Sequence, residues 1–382
     1  MPSRTVEVVA GGPPPVDPYA PGASAWALAS ALSKAGDDVH VLYLPGSGAG
    51  RAPAGVTATV VEIPLHRPGA PIEPAEFAQA AGKRLRPGAE LVVRDPVGLG
   101  GLGLSRRRRG PPLVAAFVRG LEIASFEGEH RARNPAGVVD RLDTWRDHRA
   151  VRRLEKAALD EADRLFPESA EVATALTEEY GVPSRKLLPL APAVPTFPDL
   201  PSRGAAREEL RVPQDVPVVM ALAAFETPEP SGVDRVLEAF RRVRPFFPGV
   251  RLVLWGVPAP TEPGLVNLPE RTEQGVRDAL ASADVALFLR RAPGFDPGIV
   301  LAARAGIPAV VLPDARVGPD AVQGLRTAVS DDPGDIASTL AELLADPAVA
   351  RDARAAARTF AEAFEPGRVA EAVVRSVTPV AA

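Results

Sequence analysis

In the run FDPGIV, Asp296 stands where a helix N-cap belongs and Pro297 at the first helical position. In an ordinary nucleotide site the free N–H groups of such a helix end hold phosphate. Here Pro297 supplies no N–H, and Asp296 is an internal anion worth about 1 kcal/mol as a cap. The helix end is therefore expected to be occupied already. Just upstream, Arg290 and Arg291 can be read as a guanidinium clamp on a phosphate, or as ion-paired surface residues in an arginine-rich chain. Arg119 ends the run LVAAFVR and is expected to face a cleft, where it would bind an anion or serve as a surface cation. Glu226 and Glu229 are either a carboxylate pair or two solvated side chains of a proline-rich loop. Gly22, with Ala23 and Ser24, either turns backbone N–H groups toward a ligand or makes a tight strand-to-helix turn.

Other motifs carry less chemistry. GLGGLG at 98–103 fits G-x-G-x-x-G after a strand, but LSRRRRGPP follows it, too short and basic for the required phosphate-binding helix. It reads as a flexible loop. The run Arg106–Arg109 is a solvated loop or a docking patch for an acidic partner or a membrane surface. His40 lies inside a strand, and His66, His130 and His148 show no ligand spacing. There is no D-x-D and no G-x-S-x-G, and the absence of cysteine excludes thiol nucleophiles and Cys-ligated metals. No lysine follows Lys186 and no histidine follows His148, so the second half works without an amine or an imidazole.

These residues sit on an alternation of short β-branched runs and helical-period segments, the pattern of an α/β protein with parallel sheets. Strands are expected at Val6–Ala10, Val39–Leu44, Val56–Ile63, Leu91–Arg94, Leu113–Phe117 and Arg164–Pro167. A proline-rich linker, Leu187–Ser202, follows, and the pattern restarts at Val216–Phe225, Arg251–Val257, Val285–Arg290 and Pro308–Pro313. Helices are expected at Ala23–Ala35, after Ser231, after Asp335 and over the Ala-rich stretch Ala348–Val377. The 382 residues, 46% hydrophobic, suffice for about two to three domains with separate cores; the restart of the pattern gives two, and a ligand is expected in the cleft between them. A net charge of −4 with mixed signs argues against a nucleic-acid binder. No apolar run reaches membrane-spanning length and no signal-peptide core is visible, so the cytoplasm is the expected location.

ADVALFLRRAPGFDPGIVLAARAGIPAVV, residues 283–311, resembles without a gap the signature region of glycosyltransferase family 4. APGASAWALASALSKAGDDVHVLYL at 20–44 resembles that family's first glycine loop, helix and second strand. RRLEKAALDEADRLFPES at 152–169 and the stretch 216–256 are similar to its later landmarks. The resemblance implies a GT-B fold, with two Rossmann-like domains facing across a cleft. It divides the chain into an acceptor-side domain at 1–195, a donor-side domain at 196–360 and a last helix, 361–382, packed back on the first domain. It also implies donor contacts that this sequence alters. The family's phosphate-binding Arg and Lys fall on Glu226 and Ser231, its Glu-x7-Glu pair on Pro293 and Leu301, and its sugar-facing His on Arg119. The scaffold glycines Gly294 and Gly306 are kept.

Two functions are expected from this. One is a catalytically degenerate homologue, acting as partner subunit of an active transferase or as a sugar- or nucleotide-binding scaffold. The other is an active transferase with a rebuilt site, drawing on Arg119, Glu226 and Asp296 for chemistry. A donor would then be held by Arg290, Arg291, Gly294, Phe295 and Gly22. No cofactor is implied beyond a nucleotide-sugar donor in the active case, and no metal in either. Peripheral membrane contact stays open.

Overall fold

In a computed structural model, the described residues are 3–15, 19–20, 22–45, 50–62, 73–104, 112–119, 121–123, 138–197, 199–223, 232–289, 296–313 and 325–377, with backbone alone at 73–74 and 138–145. Glu226, Glu229, Ser231, Arg290, Arg291, Pro293, Gly294, Phe295, His66, His130 and Arg106–Arg109 lie outside them. The chain forms two compact units: Met1–Pro15, Ala20–Ala193 and Pro366–Ala382 in the first, Val16–Tyr19 and Val194–Glu365 in the second.

The first unit holds β1 (Thr5–Ala10), β2 (Asp38–Tyr43), β3 (Thr57–Val60), β4 (Leu91–Asp95), β5 (Leu113–Val118) and β6 (Arg164–Pro167), all parallel in the order β3-β2-β1-β4-β5-β6. Strands buried on both faces need apolar residues at successive positions, which VVA, LVV and VAAFV supply. One face packs on α1 (Ala23–Lys34) and the last helix, α11 (Pro366–Val377), through Trp26, Leu28 and Val369. The other face packs on α2 (Glu73–Gly82), α3 (Val138–Glu161) and α4 (Ala170–Tyr180), through Phe77, Leu159 and Leu176.

The second unit begins with α5 (Arg203–Glu209) and holds β7 (Val218–Leu222), β8 (Arg251–Trp255), β9 (Leu265–Leu268), β10 (Val285–Phe288), β11 (Ala309–Val311) and β12 (Arg326–Thr327). They too are parallel, in the order β12-β11-β10-β7-β8-β9. Counted from its own first strand, each sheet has the doubly wound order 3-2-1-4-5-6, with switch points between β1 and β4 and between β7 and β10. Its helices are α6 (Val233–Val243), α7 (Glu273–Ser282), α8 (Pro297–Arg304), α9 (Pro333–Ala345) and α10 (Pro347–Ala361). On α6 the residues Val233, Val236, Leu237, Phe240 and Val243 are all buried, as their spacing predicts.

Three expectations need correction. Helix α9 starts at Pro333 with Asp332 as its cap, not after Asp335; the Asp332 carboxylate accepts from Gly334 N–H at 2.7 Å. The stretch 348–377 is not one helix, because a 3-10 turn at Glu362–Phe364 and the missing N–H of Pro366 separate α10 from α11. The edge strands β9 and β12 were not foreseen. Within the linker, Ala191, Ala193 and Val194 are buried, so this segment is packed against its surroundings.

Candidate functional site

In each unit the place to look is the carboxyl edge at the switch point, where strands on either side send their connections to opposite faces. In the first unit, β1 ends at Ala10, paired in register with Asp95 at the end of β4. The chain passes Gly11 and Gly12 and enters α1 at Gly22, which has φ 83°. A Cβ on Gly22 would stand 3.1 Å from the Gly12 nitrogen, so backbone angle and close approach both call for glycine. Gly22 thus makes the tight turn. The same geometry leaves the start of α1 without a side-chain cap and without an acid in its first turn. Ser24 is buried there with no partner for its hydroxyl. Trp26 Nε1 donates to Gly12 O at 3.1 Å and fixes the loop.

Of the two readings of Arg119, an anion-binding side chain or an ion-paired one, the structure shows an ion pair. Its Nε and Nη2 donate to Asp95 Oδ1 at 3.1 and 2.6 Å, and Asp95 has no exposed surface. Alternation along β4 and β5 places both side chains on the α1 face of the sheet, with Val93 and Phe117. The first role of Arg119 is therefore to neutralise a buried carboxylate. Sequence reading missed Arg94, which points to the other face. It is buried, its Nε and Nη1 have no partners, and burial lowers its pKa to about 10 against the pull of Glu161.

Two further readings resolve at this sheet. His40 is structural: Nδ1 meets Glu7 Oε2 at 2.8 Å and Nε2 meets Thr59 Oγ1 at 2.9 Å. The segment Gly98–Gly103 is a packed loop and not a flexible one. Leu102 and Leu104 N–H groups donate to the two Glu161 carboxylate oxygens at 2.6 and 2.7 Å, and a Cβ on Gly82 would lie 1.8 Å from Leu102 O. The N–H groups of Leu102 and Leu104 thus serve the protein's own carboxylate at the end of the motif.

In the second unit, Asp296 caps α8 as the sequence predicts: it is buried, and its Oδ1 accepts from Gly298 N–H at 2.9 Å. Pro297 takes the first helical position, and Leu301 is buried on the same helix. Arg235 of α6 donates to Leu289 O at 2.9 Å, holding the end of β10. Sequence reading also missed Tyr19 and Trp255. Trp255 ends β8, and Tyr19 stacks on it with ring centroids 5.6 Å apart and planes at 30°. A Cβ on Gly298 would come within 1.9 Å of the Tyr19 hydroxyl, so that hydroxyl lies against the first turn of α8. No signal in PPPVDPYAPG marks Tyr19. The site chemistry is thus asymmetric between the units: α1 starts without a cap, and α8 is satisfied by its own chain. Among the described residues no three acidic or histidine side chains are grouped to hold a metal, and no helix is long and apolar enough to cross a membrane.

Two six-stranded parallel sheets, each flanked by helices and wound in the same order, are the GT-B fold with its two Rossmann-like domains. Residues 22–196 match the family described as Glycosyltransferase Family 4, and residues 216–346 the one described as Glycosyl transferases group 1. The chain belongs to glycosyltransferase family 4. A curated D-inositol 3-phosphate glycosyltransferase of Geodermatophilus obscurus is 30% identical over 260 residues, covering 59% of this chain and only 55% of that one. Among solved structures, sucrose-phosphate synthase from Thermosynechococcus elongatus aligns with a TM-score of 0.70 at 16% identity, covering 97% of this chain and 98% of that one. WaaG, a glycosyltransferase of lipopolysaccharide biosynthesis, gives 0.70 at 16% over 98% and 100%. Anabaena HepE in complex with UDP-glucose gives 0.63 at 14% over 98% and 99%.

Proposed function

We propose that this family 4 protein does not hold a nucleotide-sugar diphosphate at the start of α8, and that it acts as a catalytically degenerate homologue. Its role is then that of a partner subunit to an active transferase, or of a sugar- or nucleotide-binding scaffold in the cytoplasm. The observation that carries this reading is the Asp296 cap. A buried carboxylate already accepts from Gly298 N–H at 2.9 Å, and Pro297 offers no N–H, so a diphosphate arriving there meets an anion in place of donors. The alterations at Glu226, Ser231, Pro293 and Leu301 support it from the sequence, since each removes a group that the family resemblance assigns to the donor.

A second reading, an active transferase with an atypical arginine and aspartate site, is favoured by the name of the 30%-identical relative and by the UDP-glucose in HepE. Calorimetric titration of the folded protein with UDP, GDP, TDP, ADP and their sugar conjugates separates the two. No saturable micromolar binding of a diphosphate is expected. Such binding in the wild type, lost in the Arg290→Ala/Arg291→Ala double variant, would replace the first reading with the second.

A further inference from the structure

Where α2 and α3 end, the first unit holds a hollow of about 470 Å³, a size within the range of small-molecule sites. Gln79 of α2 and Lys83 just past it line one side, Ala157 and Glu161 of α3 another, and the loop residues 101–104 a third. Both helices lead back into parallel strands, so their C-terminal ends lie toward the amino edge of the sheet, away from the carboxyl edge where Gly22 and Arg119 stand. The walls are held by the chain itself. Gly100 N–H donates to Leu154 O at 3.0 Å, and the Leu102 and Leu104 N–H groups donate to the Glu161 carboxylate at 2.6 and 2.7 Å.

Two opposite charges line this hollow without pairing with each other. Lys83 is exposed and forms no ion pair among the described residues. Glu161 is half-buried and accepts one N–H on each oxygen, which leaves about two of the four lone-pair positions of a carboxylate free. A simple anion drawn by Lys83 is repelled by Glu161, and a simple cation meets the reverse; a small zwitterion complements both. No aromatic side chain lines the hollow, so a base or a sugar ring has no face to stack on. Recognition there rests on charge and hydrogen bonds.

We propose that this hollow binds a free α-amino acid, whose ammonium donates to Glu161 and whose carboxylate accepts from Lys83. The site goes beyond the proposed function, since it lies in the first unit and depends on neither reading of the start of α8.

The test is calorimetric titration of the full chain with each of the common L-amino acids, and with the N-acetyl and methyl-ester forms of any that binds. Saturable millimolar or tighter binding of at least one is expected. Blocking either charge of that ligand should weaken it by about tenfold or more, the effect of losing one charge-assisted hydrogen bond. Lys83→Met should weaken it by a similar factor. Ala157→Leu fills the hollow from a helix position that makes none of the loop's hydrogen bonds, and should abolish binding. If Ala157→Leu fails to fold by circular dichroism, Lys83→Met decides. The proposal is overturned if no amino acid binds, if the N-acetyl or ester form binds as well as the parent, or if both variants bind as the wild type does. Inorganic phosphate or trehalose that binds more tightly than any amino acid, and is lost in Ala157→Leu, gives the hollow to an anion or a sugar and overturns it too. A nucleoside diphosphate that binds without displacing the amino acid overturns the proposed function and leaves this site standing.

Discussion

Arg119 ends its strand as a lone cation in the sequence, because its partner lies 24 residues upstream on the neighbouring strand. Parallel pairing brings Asp95 beside it, and register of that kind is a tertiary fact that no local pattern encodes. The pairing sets what a substitution will do. Arg119→Ala leaves a fully buried carboxylate without its cation, which is expected to cost about 2–4 kcal/mol, at the lower end because Arg119 is itself a third exposed. Urea unfolding would show this as a lower midpoint at unchanged slope, and Asp95→Asn in the same background should recover part of it. A second buried carboxylate gives a pH signature. Burial raises the pKa of Glu155 despite the bonds it accepts from the Tyr180 hydroxyl and the Glu122 and Ile123 N–H groups. An acid raised in the folded state binds its proton more tightly there than in the unfolded chain. Its contribution is therefore greatest below the unfolded pKa, about 4.3, and is lost as pH rises from there through the folded value. Melting temperatures measured upward from pH 4 should fall for wild type relative to Glu155→Gln, and parallel profiles would contradict this.

At the scale of elements, a helix start is legible where an acid precedes proline and a helical period follows, because cap and fixed φ act through neighbours in the chain; Asp95–Pro96 and Glu262–Pro263 start no helix. That rule was right at Asp296–Pro297, and applied consistently it would have placed α9 at Asp332–Pro333. Asp335 instead sits in the first turn and accepts from the Ser330 hydroxyl at 2.5 Å. The strands β9 and β12 escaped because four and two residues are too short for a period to show. The glycine-rich loop shows the opposite failure: its motif is clear, but its meaning depends on Glu161, 57 residues after Leu104. That carboxylate takes over the role a phosphate would have played. Glu161→Ala strips two N–H groups of their acceptor and is expected to cost about 1–3 kcal/mol. Hydrogen exchange at Leu102 and Leu104 should accelerate well before exchange in β4, and if both amides stay protected the loop is held by something other than Glu161.

Over the whole molecule, order in the chain and membership of a unit part company twice, at Tyr19 and at the last helix. Two chain segments on the second unit's side of the boundary are tied together by Arg304, which donates to Val194 O and Pro195 O at 2.8 Å each and to Phe364 O at 2.7 Å. Beyond them, Pro366 opens α11, whose Val369, Ala370 and Val373 are buried in the first unit's core alongside Trp26 and Leu32 of α1. Arg164 of β6 also donates to Ser376 O at 2.9 Å. A chain ending at Glu365 would keep every strand of both sheets and still expose one face of α1. From two fully buried valines the first unit should lose roughly 3–5 kcal/mol, an upper figure because the unfolded chain already buries part of that surface. Hydrogen exchange locates the loss. Amides of α1 should lose protection in the shortened chain, and those of β7, β8 and β10 should keep theirs, since no residue of α11 enters the core around them. Equal loss across both sheets would mean that the two units unfold as one, and α11 would then stabilise the molecule as a whole.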